Sequence, residues 1–588
     1  MPEILKINNK NVNIKTEEKE SYLSVLRKYN YSFPAYCNGK GVCGKCKIKF
    51  IKPENPPINS IESEILSPAE LQSGYRLACQ QTIFDQSKIY LDLEKDIKTV
   101  VRGKSFDIKI NSEYNKLLIK ADNLNEKNKK GAINKLLQIT GQTDIDVDII
   151  REISNLKKYD ELTTFTTREN KIIDIEMGNK KDNLYGLAID AGTTTLVLYL
   201  VNLQSGKIID IISLSNSQRK YGSDIISRID FSKNTNNGIK ILKDLLINNT
   251  NNAIEEICIE NNIKERNIYC TAISGNPFIL HSLLAVKANT LAEAPYSPIF
   301  LCDLKFNKDK LSLNINKKGK VKFLPGLAGN VGADILAGLL TIDDSNYPYL
   351  FIDIGTNGEI VVNTGKNIYC CAAAAGPALE GGGLENGIPG IPGAIVDFNF
   401  EENQIRTIEN KSPVGICGSG IINIIAELLQ YKIIDKSGKF NSNNKNVIDY
   451  NGQKAFEITE EEKIVITQKD IRNIQLAIGA LKAGINILMN KANISFTDIK
   501  TIYLAGGFGS ALSPKNICKI GFLPDKVQNM IHRLGNSAGI GTISYMLNKK
   551  LKFKAINLQN RATYIDLYKY EKFQKLYVEA MKFNYFKT

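Results

Sequence analysis

Alternation of apolar and polar positions opens the chain: EILKI and NVNIK flank Asn8-Asn9-Lys10 and predict a β-hairpin. Helical spacing follows, with Leu23, Val25 and Leu26 on the apolar side of a short helix over Glu20–Tyr29. Ser67-Pro68-Ala69-Glu70 is a capping box with Pro at the first helical position, Gly74 ends that helix, and Lys88–Leu93 alternates like a strand. Residues 1–95 thus read as one small domain and the polar stretch 96–104 as a linker. Residues 105–183 predict a strand over Ser105–Ile110, helices over Lys130–Thr140 and around Asp146–Leu156, and a hairpin turning at Glu169-Asn170. This small α/β module carries no chemistry of its own and is expected to position its neighbours. From 184 onward, apolar strand-like runs end repeatedly in glycine turns.

Length and composition narrow the class. With 588 residues, 43% hydrophobic and 23% charged, the chain is a multidomain globular protein rather than a single core. The start, MPEILKINN, lacks a basic-then-apolar leader, and runs such as Ile189–Val201 are too short to span a bilayer; a cytoplasmic protein without a membrane part is expected. The net charge of +14 comes from scattered lysines, with no basic helix interleaved with aromatics, so nucleic acid is not an expected partner. An acidic protein partner suits that field better. Two histidines and no tryptophan leave acid–base chemistry to carboxylates.

Chemistry first enters at the cysteines. Cys37, Cys43 and Cys46 form C-x5-C-x2-C, and Cys79 follows much later. Gly39, Gly41 and Gly44 let the backbone wrap closely, so that its N–H groups point at sulfur. A zinc knuckle would pair C-x2-C with a second such pair or with histidines, and neither occurs. Three clustered cysteines plus a distant one is the plant-type [2Fe–2S] layout with one extra residue in the first gap, as in adrenodoxin-like ferredoxins. Cys258, Cys270, Cys302, Cys417 and Cys518 are isolated and read as core thiols, and Cys370-Cys371 sits in an apolar strand.

A second chemistry appears twice. AIDAGTTTLV (188–197) and FIDIGTNGEI (351–360) share the pattern apolar-Ile-Asp-x-Gly-Thr at an offset of 163 residues, an internal duplication. Each copy predicts strand, tight glycine turn and return strand, with N–H groups and hydroxyls suited to phosphate and a strand-end aspartate suited to Mg²⁺ through water. Thr501–Ala505 leads into Gly506-Gly507-Phe508-Gly509, where glycines permit close backbone approach. Neither a Walker motif nor a strand-borne G-x-G-x-x-G occurs.

At these residues the chain resembles the actin, heat-shock-chaperone and sugar-kinase superfamily (ASKHA): DAGTTT is similar to its first phosphate motif, DIGTNGE to its second, AGGFG to its adenosine motif. With the ferredoxin-like head in front, and with YGSDIISRI, GLAGNVGAD and GICGSG, the whole chain resembles the ATP-dependent reductive activators of corrinoid proteins. The resemblance implies a β-grasp head, a small α/β middle domain and a duplicated ASKHA region, an α+β and α/β multidomain fold. Its lobes fall at 184–345 and 346–548, and the segment 549–588 has no assigned role. It implies one-electron reduction of Co(II) to Co(I) on a partner corrinoid protein of a methyltransferase system, fed by a low-potential donor and coupled to ATP hydrolysis; it also implies a homodimer, which no residue marks. Cys37, Cys43, Cys46 and Cys79 would ligate the cluster. Asp190 and Asp353 would position Mg²⁺ and the attacking water, assisted by Glu359 or Glu380. Gly192, Thr193, Thr194, Thr195, Gly355, Thr356 and Asn357 would bind phosphate, and Gly506 and Gly507 would flank adenosine. Ser419 in GICGSG reads either as a turn serine or as a contact to the cobalt side. The alternatives are an ASKHA small-molecule kinase with a ferredoxin domain, a nucleotide-sensing electron carrier, or an activator of dehydratase type, against which the N-terminal cysteine spacing argues.

Overall fold

The computed structural model describes residues 3–7, 10–14, 20–28, 46–51, 56–84, 87–91, 109–120, 131–155 and 162–586, except 295, 356, 462, 510 and 584. Cys37, Cys43, Thr356 and most of the expected strand at Ser105–Ile110 lie outside them.

The head is a five-stranded sheet in the order Lys10–Ile14, Glu3–Ile7, Lys88–Tyr90, Lys47–Phe50, Tyr75–Leu77. The opening hairpin pairs Glu3 with Ile14 and Ile7 with Lys10, as its alternation predicts. The helix Tyr22–Lys28 lays Tyr22, Leu23, Val25 and Leu26 into the core against Ile48, Phe50, Leu77 and Ile89. This sheet and its crossing helix make the expected β-grasp.

In the middle module, Leu162–Arg168 and Lys171–Met177 form the expected hairpin, with Glu169 in the left-handed region at φ 56°. Helices occupy Ala132–Thr140 and Val147–Ser154. Sequence reading missed the strand Tyr114–Lys120, which pairs along the whole of Leu162–Arg168. Thr163, Thr164, Thr166 and Thr167 are buried, and the seam with the next domain is polar: Lys116, paired with Glu176 inside the module, lies 5.3 Å from the centre of the Tyr269 ring, and the Tyr269 hydroxyl donates to Asp174 at 2.7 Å.

The remaining chain forms two lobes on one plan. The first sheet runs Ile208–Ser215, Thr195–Asn202, Tyr185–Ala191, Ile268–Gly275, Lys320–Phe323, Leu304–Asn307. The second runs Ile531–Gly535, Thr501–Ala505, Tyr349–Ile354, Gly358–Asn363, Ile368–Ala373, Ala562–Tyr564. In each, the strand bearing the Asp-x-Gly-Thr loop has its own return strand antiparallel on one side and a later strand parallel on the other. Both faces of that strand are buried at nearly every position, so these strands read as continuous apolar runs.

The helix Ser537–Leu547 follows the strand Ile531–Gly535 of the second sheet but packs on the first lobe, against Tyr185–Ala191, Ile268–Gly275 and the helix Ala333–Leu340. The C-terminal segment touches both lobes: Leu551–Arg561 packs on the first, against Ala333–Leu340, whereas Ala562–Tyr564 adds a parallel strand beside Ile368–Cys370 and Phe573–Ala580 packs on the long helix Gln468–Ala492 of the second. Among the described residues no helix is long and apolar enough to cross a membrane.

Candidate functional site

In the head, Cys46 immediately precedes the strand Lys47–Phe50, and Cys79 follows Tyr75–Leu77. The Ala78 N–H donates to the Cys46 carbonyl at 2.7 Å, and the two sulfurs stand 3.3 Å apart. That is near the roughly 3.7 Å expected for two thiolates on one tetrahedral metal with bonds of about 2.3 Å. A buried carboxylate secures the second ligand's segment: Glu62 accepts from the Leu77 N–H at 2.8 Å and from Gln81 Nε2 at 2.7 Å. Glu62 caps its own helix from Asn59, a second capping box not recognised in the sequence. Gln80 Nε2 donates to the Cys79 sulfur at 3.4 Å, the kind of bond that tunes a cluster's potential. The residues present fit a [2Fe–2S] cluster, with Cys37 and Cys43 to complete the set.

In the first lobe, Asp190 sits one residue before the end of its strand and Gly192–Thr195 makes the turn, closed by the Gly192 N–H donating to the Thr195 carbonyl at 2.9 Å. Three side chains hold this turn from behind. Asn216 Nδ2 donates to the Gly192 carbonyl at 2.8 Å, Asn276 Nδ2 to Thr193 Oγ1 at 3.0 Å, and Arg228 Nη2 to the Thr193 carbonyl at 2.6 Å. Arg228 is fully buried and also donates to the Gly222 carbonyl; burial lowers its pKa to about 9.

The second loop is one residue shorter. Asp190 stands opposite Val197 across its hairpin, seven positions on, whereas Asp353 stands opposite Glu359, six on. The ungapped alignment of the two motifs is therefore corrected: beyond the shared Gly-Thr, the first loop carries an insertion. Gly355 N–H donates to the Asn357 carbonyl at 3.0 Å, and Glu380, after the turn at Gly376, points its Oε1 toward Gly355. The adenosine-type turn lies beside this loop: a Cβ on Gly506 would stand 2.5 Å from Asp353 Oδ1.

The two loops bring their acids into one half-buried cleft, together with Asp334. Burial raises Asp190 to about 7, opposed by the Asn536 amide, whose Nδ2 donates to Asp190 Oδ2 at 2.9 Å, and reinforced by Asp334. Burial raises Asp353 to about 8, with Asp334, Asp190 and Glu380 adding to it. Glu359 is pushed well above the usual carboxylate range by burial and by Asp334 and Asp353, and Asp334 itself is raised by burial to about 6. Such an all-oxygen set resists simultaneous ionisation and suits a hard divalent cation. Among the described residues no three of these groups approach one point closely enough to ligate an ion directly, so a Mg²⁺ here would be held through water and phosphate oxygens.

Asp334, the last residue of GLAGNVGAD, is a cleft acid that the sequence analysis does not single out. Its signal was an acid in the first turn of the apolar helix Ala333–Leu340. Ser419 is 8% exposed at the start of the helix Gly418–Gln430, its Oγ 3.3 Å from Cys417 Sγ, on an element that abuts Phe508 of the adenosine-type turn. Gly507, two residues from Gly509, lies within that turn's single helical coil, Gly506–Gly509.

Comparison with known proteins agrees with this architecture. Residues 5–83 match the 2Fe-2S iron-sulfur cluster binding domain, 185–344 the RACo middle region and 348–588 the C-terminal ASKHA domain of RACo. The corrinoid activation enzyme RamQ of Eubacterium limosum is 32% identical over 587 residues, covering 92% of each chain. A reductase of the methylated amine-specific Co(II) corrinoid protein from Methanosarcina barkeri is 24% identical over 60% of this chain and 68% of its own. The solved structure of a reductive activator for a corrinoid, iron-sulfur protein superposes with a TM-score of 0.72 at 26% identity, covering 99% of this chain and 98% of that one. A head that matches the 2Fe-2S domain, two lobes with paired Asp-x-Gly-Thr loops and near full-length similarity to RamQ together make the chain a member of the RACo family of corrinoid-activation enzymes.

Proposed function

We propose that this protein reductively activates a corrinoid protein, delivering one electron that converts Co(II) to Co(I) while ATP is hydrolysed in the cleft between the lobes. The observation that carries this reading is the joining, in one chain, of a thiolate pair built for iron to two facing phosphate loops whose acids crowd one cleft. When bound, the [2Fe–2S] cluster supplies a single-electron store. Cys37, Cys43, Cys46 and Cys79 hold it, and the electron comes from an external low-potential donor. Gly192, Thr193, Thr194 and Thr195 in one lobe and Gly355, Thr356 and Asn357 in the other grip the polyphosphate, while Gly506 and Gly507 leave room for adenosine. Asp190 and Asp353 orient Mg²⁺ and the attacking water, and Asp334, Glu359 and Glu380 stand ready to take its proton.

Plant-type clusters sit near about −400 mV, and Co(I) formation is harder still. Each ~59 mV of deficit costs a single electron tenfold in equilibrium. ATP can help only through a difference in affinity between two states of the protein. One lobe arrangement gripping the Co(II) partner and another releasing the Co(I) product would meet that requirement. A cytoplasmic location belongs to the same reading, since ATP is needed and thiolates must stay reduced. The homodimer rests on the family resemblance.

The decisive experiment mixes the full chain, reconstituted with iron and sulfide, with Mg²⁺, titanium(III) citrate and a Co(II) corrinoid protein, and follows the Co(I) absorption band. The band should require ATP. Cys46→Ser should abolish it while ATP hydrolysis persists, and Asp353→Asn should slow hydrolysis by about a hundredfold. Reduction at the same rate and extent without nucleotide would overturn the proposal, and a phosphorylated sugar or acid as product would favour the kinase reading.

A further inference from the structure

The chain passes from the second lobe to the first at one point near the cleft. The strand Ile531–Gly535 belongs to the second sheet, beside Thr501–Ala505, whereas Ser537–Leu547 packs on first-lobe elements. Gly535 takes φ 72°, a conformation other residues seldom adopt, and Asn536 follows as the helix cap. Its side chain is used at both ends. Oδ1 accepts from the Gly539 N–H at 2.8 Å, closing the cap, while Nδ2 donates to Asp190 Oδ2 at 2.9 Å. A second bond fixes the same helix to the same strand ends: Thr542 Oγ1 donates to Ser274 Oγ at 2.6 Å, and Ser274 is the register partner of Asp190 in the adjoining parallel strand.

We infer that Asn536 is a positioning residue for ATP hydrolysis, holding the first-loop carboxylate in its working rotamer from the point where the lobes join. The physical argument is economy of freedom. An aspartate at a strand end has a rotatable carboxylate, and nothing in its own loop holds Oδ2; the bond that does so comes from the hinge. Because one amide both caps the returning helix and holds Asp190, a change in the angle at Gly535–Asn536 alters the orientation of the carboxylate in the same movement. Closure of the lobes on nucleotide and readiness of the acid become linked through a single side chain. The inference rests on the ATPase reading above.

The test separates this role from simple helix capping. Asn536→Ser and Asn536→Asp each keep an acceptor for the Gly539 N–H. Serine is too short to reach Asp190, and aspartate replaces the donor with a like charge. Hydrolysis of ATP by the full chain is measured with Mg²⁺ alone, with kcat and KM separated, beside thermal melting of each variant. Both variants should melt near the wild type. Their kcat should fall about tenfold or more while KM for ATP moves less than about threefold. Wild-type kcat in either variant would overturn the inference, as would a loss of kcat that only tracks a loss of melting temperature. A wild-type chain that hydrolyses no ATP sinks the ATPase reading and this inference with it; active variants beside an active wild type sink this inference alone.

Discussion

Lys482 is fully buried in the helix Gln468–Ala492, where its ammonium donates to the Lys582 carbonyl at 2.8 Å and lies 5.7 Å from the centre of the Tyr585 ring. Burial pushes its pKa down to about 7. The unfolded chain keeps that proton up to about 10.4. Between those two values the unfolded state binds more protons, so this group makes stability rise with pH from about 7 toward 10. Lys482→Met keeps the stem and removes the charge. Denaturant unfolding at pH 7 and pH 9.5 should show the variant losing its relative advantage by a few kcal/mol as pH rises; an identical pH slope in both proteins would refute the assignment. No sequence signal marked Lys482, because a lysine in an amphipathic helix reads as solvated until the C-terminal segment is seen to cover it. Asp190 and Asp353 were legible from their motif. Asp334, Asn536 and Arg228 were not, since each acts on the cleft from a segment whose local pattern is an ordinary turn, cap or helix.

The two Asp-x-Gly-Thr loops show what a repeat can and cannot specify. Strand, turn and return strand follow directly from apolar runs broken by Gly-Thr. The unequal loop lengths do not, because a one-residue difference becomes visible only in the pairing of Asp190 with Val197 and of Asp353 with Glu359. Beside the second loop, the turn at Gly506 has φ 82° and leaves no room for a side chain next to Asp353. Gly506→Ala should therefore cost about 1–3 kcal/mol of local strain and displace the carboxylate. Its kcat for ATP should fall at least about tenfold with most of the circular-dichroism melt retained. An unchanged kcat would show that the turn and the acid move independently.

At the scale of the molecule, the lobes meet where the helices Ala333–Leu340 and Ser537–Leu547 cross with almost no separation. A Cβ on Gly541 would stand 1.8 Å from the Ala337 carbonyl oxygen, which no rotamer change relieves. Gly541→Ala must push the helices apart, at a cost of about 1–3 kcal/mol. The lobe angle should then lose its response to nucleotide. Urea unfolding gives the first quantity, and small-angle scattering with and without ATP gives the second; a wild-type change in radius of gyration on adding ATP would count against a pivot at this crossing. The middle module adds a fixed base to the first lobe through Lys116, Glu176, Asp174 and Tyr269, and Thr166 of its hairpin reaches the same seam, its hydroxyl 3.4 Å from that of Tyr269.

The family resemblance implied the β-grasp head and the adenosine-type turn; from the sequence's own pattern came the elements with strong local signals: the opening hairpin, the cysteine spacing, the hairpin at Glu169-Asn170 and the duplicated loop. Each rests on periodicity, glycine freedom or ligand spacing, which a short stretch of chain carries by itself. Tertiary structure alone decided which acids share the cleft, how the helix Ser537–Leu547 returns to the first lobe, and how the C-terminal segment divides between the two lobes. Those facts depend on contacts between residues hundreds of positions apart, such as Asn536 with Asp190, and no local pattern encodes a distance across the fold.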